Sequence, residues 1–215
     1  MNHPKQRADW KETGVEHFSH IYSRLDTAEI ERRCGLPFKN GSFELTLMGE
    51  PYAAAYPQFA LMPVDQVGGQ PPAPADIAEQ ALILRYLCEG RYTPSAGKFL
   101  SYREVPWGET YFSNFEGRCI KRLARIGGGN PAGFNAFFAN NSGLHAAPVE
   151  RAPGWRFEFM TNLYFSFIVW QGDDEFPTQA QILFDDNIPS AFTAEDLAVA
   201  ADIALSRIKK KLAGA

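Results

Sequence analysis

The chain has 215 residues but only three cysteines and four histidines. Cys34, Cys88 and Cys119 stand far apart. They cannot form the paired knuckles of a zinc or iron–sulfur site, and an odd number does not suit a disulfide framework. No run approaches the ~20 apolar residues needed to cross a bilayer. The opening stretch, MNHPKQRADW, lacks the apolar centre of a signal peptide. Charge of one sign is missing too: the net charge is −4, which gives no general pull toward nucleic acid or an anionic membrane. Gly-x-Ser-x-Gly is absent. The glycines of GGGNP have neither the Lys-Ser/Thr of a Walker loop nor the spacing of a dinucleotide fingerprint. No Ser/His/Asp or Cys/His arrangement can be picked out. The expectation is a cytoplasmic protein with reduced thiols, with neither nucleic acid nor membrane as a partner.

What is present is apolar and aromatic. Hydrophobic residues make up 45% and charged residues 21%, a balance that favours a packed core over disorder. Seventeen phenylalanines imply extensive ring packing. There is no internal repeat and no low-complexity tract. The linker-like stretch 63–76, PVDQVGGQPPAPAD, is read as a surface loop, because the part before it is too small to stand alone. The whole chain, 1–215, is therefore expected to be one domain, with flexible ends at 1–8 and 213–215.

Local patterns give the elements. Phe18, Ile21, Tyr22 and Leu25 repeat at helical spacing. Asp26 and Glu29 are spaced as a capping box for a short helix that should stop at Cys34-Gly35. Phe43, Leu45 and Leu47 alternate with polar residues, as in a half-buried strand, and Gly49-Glu50-Pro51 is read as the turn after it. Asp76 and Glu79 start a helix, IAEQALILRYLCEG, that is apolar nearly all round and hence central. KFLSYREVPWG reads as strand and turn. A long helix from about Glu109 to Ile126 follows, with GGGNP breaking it. Asn130 caps the next helix and Pro131 takes its first position. Trp155, Phe157 and Phe159 alternate with Arg156 and Glu158, and Leu163–Trp170 reads as a central strand. Residues 177–184 fit either a helix or a strand. Thr193 starts a last helix that ends in Lys209, Lys210 and Lys211, where the helix dipole favours cations. The expected class is α+β: a mostly antiparallel sheet with several packed helices, in a single domain.

Two segments carry candidate chemistry. In WQGDDEFPTQAQILFDD, residues 170–186, an aromatic run ends in Asp173, Asp174 and Glu175, and Asp185 and Asp186 follow a short element. Hard divalent cations take oxygen ligands, so Asp173, Asp174, Glu175 and Asp185 are candidate ligands. The plainer account is a solvated turn in which one of Asp173 and Asp174 caps backbone N–H groups while Trp170 and Phe176 are buried. The second segment is a basic stripe. Arg118, Lys121, Arg122 and Arg125 fall on one helical arc of ~100°, suited to a small anionic ligand or an acidic partner. Its plainer account is a solvated face. His17 and His20, one helical turn apart, read as surface residues. His145 stands alone in a loop as a thin acid–base candidate. The three cysteines lie on or beside apolar helical faces and read as inert packing.

ALILRYL, KFLSYREVPWGETYF, and above all WQGDDEFPTQAQILFDD followed by TAEDLA, resemble an uncharacterised bacterial and archaeal family, domain of unknown function 3786. The resemblance runs from about Asp26 to Ile208. It supplies no reaction and no cofactor. It implies one domain, strengthens 170–186 as a site, and suggests relatives fused to iron–sulfur domains of the corrinoid-protein kind. With no cysteine cluster here, such a centre would have to sit on a partner. Three readings follow. The first is a small-ligand or cation-binding accessory module beside anaerobic metallo- or one-carbon enzymes. The second is an enzyme using Asp173, Asp174 or Glu175 as metal ligands or general base. The third is a protein–protein adaptor docking through residues 118–125.

Overall fold

The computed structural model describes residues 14–65 and 72–214. The expected flexible end at 1–8 and the middle of the 63–76 loop lie outside these residues. At the other end, Ala213 is the last residue of a helix.

Helix α1 (residues 14–22) brings Tyr22 into the core, fully buried. Asp26 accepts from the Ala28 N–H and opens α2 (Thr27–Cys34), which stops at Gly35 with φ of 64°. That left-handed conformation is cheap for glycine, and it ends the helix. Four strands follow: β1 (Phe38–Lys39), β2 (Ser42–Leu47), β3 (Glu50–Ala55) and β4 (Leu61–Pro63). Phe43, Leu45 and Leu47 are buried as their alternation predicts. The turn between β2 and β3 is Met48-Gly49, both at positive φ, rather than Gly49-Glu50-Pro51. Two residues in this conformation match the strand twist, so Glu50 and Pro51 already belong to β3.

Asp76 and Glu79 form the expected capping box of α3 (Ile77–Glu89). Strand β5 (Phe99–Ser101) and a 3-10 turn (Tyr102–Glu104) lead into one long rod: α4 (Gly108–Phe115), a π-helical segment (Glu116–Ile120) and α5 (Lys121–Gly129). The rod runs through Gly127, Gly128 and Gly129 instead of breaking there. Close packing explains this. A Cβ on Gly127 would lie 2.7 Å from a Val169 methyl, and one on Gly128 would lie 2.7 Å from Thr178 Oγ1. The glycines let the helix approach the sheet, and the chain turns only at Asn130. The Asn130 carboxamide accepts from Gly133 N–H and caps α6 (Pro131–Ala139).

After a 3-10 turn (Ser142–Leu144) come β6 (Ala147–Pro148), β7 (Gly154–Met160), β8 (Leu163–Trp170) and β9 (Gln179–Asp185). Residues 179–185 are thus strand. A short α7 (Ile188–Ala191) precedes α8 (Ala194–Ala213), opened by a Thr193–Asp196 capping box. Among the described residues all strands form one sheet, in the order β4-β3-β2-β7-β8-β9-β5, with β1 on β2 and β6 on β7. Every pairing is antiparallel. The fold is α+β in a single domain, with β8 central as expected.

One face of β7–β9 carries Phe157, Phe165, Phe167, Ile182 and Phe184, all buried under the helices. Each such side chain stabilises the fold by roughly 1.5–3 kcal/mol through burial alone. The β2–β7 seam is the sheet's thinnest point, with one residue pair in register, Leu47 and Met160. Side chains reinforce it. Thr161 Oγ1 accepts from Thr46 N–H at 2.7 Å. Arg207 of α8 donates to Glu79 Oε1 and Glu50 Oε2 at 2.6 Å each and to Tyr52 at 2.8 Å. That guanidinium ties α8 to α3 and to the β2–β3 hairpin.

Candidate functional site

The acids of the 170–186 segment separate. Asp173 accepts from the N–H groups of Glu175 and Phe176, at 2.9 and 2.8 Å. These bonds hold the turn and keep its carboxyl below the usual aspartate range. Asp174 and Glu175 are exposed. Asp185 is elsewhere, on the opposite side of the sheet from the helices. It is 2% exposed and accepts both arms of the Arg156 guanidinium, at 3.0 and 2.6 Å. Asp186 accepts from Ser95 Oγ at 2.6 Å, which lowers its pKa. The segment therefore gathers no set of carboxylates. Among the described residues, no group of three or more His, Cys, Asp and Glu could hold a metal ion.

Trp170 and Phe176 are 41% and 61% exposed, against the expected burial. Trp170 pairs with Gln179 at the end of β8, on the sheet face that carries no helix there. Phe176 leaves the Asp173 turn pointing outward. Ile182 is buried on the helix face, and Leu183 is half-buried on the other.

The basic stripe is largely neutralised inside the molecule. Arg118 and Arg122 both reach Asp202 on α8, and Arg122 also donates to Ser206 Oγ at 3.0 Å. Lys121 pairs with Glu116 at 3.6 Å. Arg125 makes no ion pair among the described residues. The stripe thus fastens the long helical rod to α8. His17 and His20 are exposed. His145 Nδ1 lies 3.3 Å from Glu158 Oε2, a contact the loop position did not suggest. Burial pushes the Cys34 thiol up to about 11 and those of Cys88 and Cys119 to about 12, consistent with inert packing.

The helix-free face of β7–β9 is polar at its centre. Arg156 lies 3.9 Å above the Tyr164 ring while it holds Asp185. Glu158, 5% exposed, accepts from Asn162 N–H at 2.8 Å and Thr46 Oγ1 at 3.2 Å. Arg156 thus joins β7 to β9 through Asp185, and Glu158 joins β7 to the seam through Thr46. Ser166 Oγ, between Arg156 and Leu183 across the ladder, is buried without a partner.

A cleft of about 310 Å³ opens on the helix side, at the far end of β7 and β8. Three separate segments build it. Pro131, Phe134 and Asn135 come from the first turns of α6; Pro148, Pro153 and Trp155 come from β6, β7 and the turn between them; Val169 comes from the end of β8 and Gln171 follows it. The proline rings make rigid apolar walls. Trp155 lies nearly parallel to Phe138, and its indole N–H donates to Asn135 Oδ1 at 2.8 Å. Gln171 Nε2 donates to the Gly127 carbonyl at 3.3 Å. No lining residue is ionisable. The sequence signal for this site was thin: prolines around a Gly-Trp step, and an amide between phenylalanines on a short helix.

An all-antiparallel α+β domain with an uncharged cleft beside its helix layer is the class that fold and candidate site define. The chain belongs to the family described as a domain of unknown function (DUF3786), whose model matches residues 26–207. No curated protein and no solved structure matches it. Among the described residues, no helix is long and apolar enough to cross a membrane.

Proposed function

We propose that the protein is a cytoplasmic small-ligand-binding accessory module whose site is the cleft between α6 and the β6–β7 turn. The observation that carries this reading is the cleft itself. Its volume of about 310 Å³ matches the lower end of known small-molecule sites, roughly 300–1,000 Å³, and its composition, apolar walls with a few convergent polar groups, is the usual one. The walls are preformed: prolines, a helix start and the end of a central strand leave little to order on binding. The acid turn and the basic stripe support the enzyme and adaptor readings less well, because their groups are dispersed or paired. The accessory role beside an enzyme with an iron–sulfur or corrinoid centre rests on the family resemblance, with the centre held by the partner.

A fragment screen read by two-dimensional NMR tests the site. Hits should shift the Trp155 indole N–H and the Gln171 side-chain amide. Ala152→Trp should fill the cleft and abolish the shifts without lowering the melting temperature. Hits that map elsewhere, or that persist in Ala152→Trp, overturn the proposal.

A further inference from the structure

Apart from the cleft, we infer that the hairpin loop between β8 and β9 is a docking surface for a partner protein that offers an apolar pocket rimmed by lysine or arginine. Two large rings stand on this loop. Trp170 is at its base, paired with Gln179, and is 41% exposed; Phe176 is within it and is 61% exposed. Further along the same two strands Phe165, Phe167 and Phe184 are fully buried. The loop that carries the exposed pair is firmly held. Asp173 N–H donates to the Phe176 carbonyl at 2.9 Å, and the Asp173 carboxylate accepts from the Glu175 and Phe176 N–H groups. Gly172 N–H donates to Thr178 Oγ1 at 3.1 Å, and Thr178 fills the space where a Gly128 Cβ would go. The Phe176 ring has no route back to the core without breaking these bonds. Apolar residues scattered singly over a surface need no explanation, but two rings on one fixed hairpin form a patch that a partner can cover. A loop already ordered loses little freedom when it is covered.

Charge selects the partner. Asp174 and Glu175 directly precede Phe176, are exposed, and make no ion pair among the described residues. Nor does the chain place a cation near them in sequence: no lysine or arginine occurs from Phe157 to Ser206. The exposed rings are therefore accompanied by unbalanced negative charge. An acidic partner or an anionic membrane would be repelled. A pocket with an apolar floor and a cationic rim matches both features, taking the Phe176 ring inside and meeting Asp174 and Glu175 at its edge. Arginine at that rim could also lie over the face of Trp170.

The test selects a library of random peptides, displayed on phage, against the immobilised full chain. The expected binders combine apolar residues with lysine or arginine. As free peptides they should bind Phe176→Ser, and separately the double variant Asp174→Asn with Glu175→Gln, roughly tenfold more weakly than the parent chain. Their affinity should fall as salt rises from about 0.05 to about 0.5 M. The substituted side chains are exposed, so these variants should melt with the parent. Ala152→Trp, which fills the cleft, should leave peptide binding unchanged, so this inference and the cleft stand or fall separately. Binders that are acidic or uncharged, binders that hold Phe176→Ser as tightly as the parent, or no enrichment at all overturns the inference. So does sedimentation showing self-association that Phe176→Ser abolishes, since the loop would then be covered by a second copy of this chain.

Discussion

Gly127 and Gly129 sit two residues apart in one helix, and alanine should act on them in opposite directions. Alanine normally stabilises a helix over glycine, by up to about 1 kcal/mol in the interior. Gly129 has open space where a Cβ would go, so Gly129→Ala should be neutral to stabilising by a few tenths of a kcal/mol at its terminal position. At Gly127 the new Cβ would meet Val169 Cγ2 at 2.7 Å, Cγ1 at 3.1 Å and Cβ at 3.3 Å. Both methyls and their carbon face it, so rotating the side chain brings no relief, and a β-branched side chain is stiff in any case. Val169 is 3% exposed on the central strand, held between β7 and β9, and cannot move aside. Overpacking of this kind costs about 1–3 kcal/mol. After the propensity gain, Gly127→Ala should be destabilised by about 1–2 kcal/mol. In a chain of this size each kcal/mol moves the melting temperature by roughly 2–4 °C, so the two variants should melt several degrees apart. Urea unfolding should show the same order, and adding Val169→Ala to Gly127→Ala should recover part of the loss. If both alanines stabilise alike, the helix does not approach β8 as closely as described, and the account of why it survives three glycines is wrong.

Three further outcomes are expected. Arg207→Leu leaves Glu79, 6% exposed, without its guanidinium partner, and should cost about 3 kcal/mol by chemical denaturation; a loss below about 1 kcal/mol would mean that the network contributes little. Asp173 has a depressed pKa in the folded turn, so its contribution is present above the unfolded aspartate range and is lost as pH falls through the folded value; the Glu175 and Phe176 amide signals should move together in that acid range and not at all in Asp173→Asn. Cys34, Cys88 and Cys119 have thiols raised by burial, so a thiol reagent at pH 8 should label the folded chain slowly and all three at once after unfolding; rapid labelling of the folded chain would contradict the packing described.

The sequence was legible where a residue's role is local. Asp76 with Glu79, Thr193 and Asn130 each mark a helix start through contacts spanning two or three residues, and each stands as read. Alternation in β2 and the run of β8, apolar on both faces apart from Ser166, report the two environments a strand can meet, and both were correct. Misreadings came where the third dimension decides. Three glycines in a row argue for a break unless something demands close approach, and Val169 and Thr178, which make that demand, are about 40 to 50 positions away. Trp170 continues a buried run in sequence, yet it falls at the end of the face that the helices leave open. Asp185 and the acids at 173–175 look like one cluster along the chain. Strand β9 lies between them and carries Asp185 to the other end of the sheet.

The same geometry accounts for the state of the charged groups. Buried or crowded ionic groups need partners, and this chain supplies them: Arg156 for Asp185, Arg207 for Glu79 and Glu50, Asp202 for Arg118 and Arg122. Each pair uses up the valence that would recognise a ligand. Neutral amides on a surface are under no such pressure, since water satisfies the half that the protein leaves over, at little cost until a ligand displaces it. Asn135 and Gln171 are in that position, each anchored through one half and open through the other. Unspent hydrogen-bonding capacity beside preformed apolar walls is what binding a small molecule requires, and in this fold the cleft between α6 and the β6–β7 turn brings the two together.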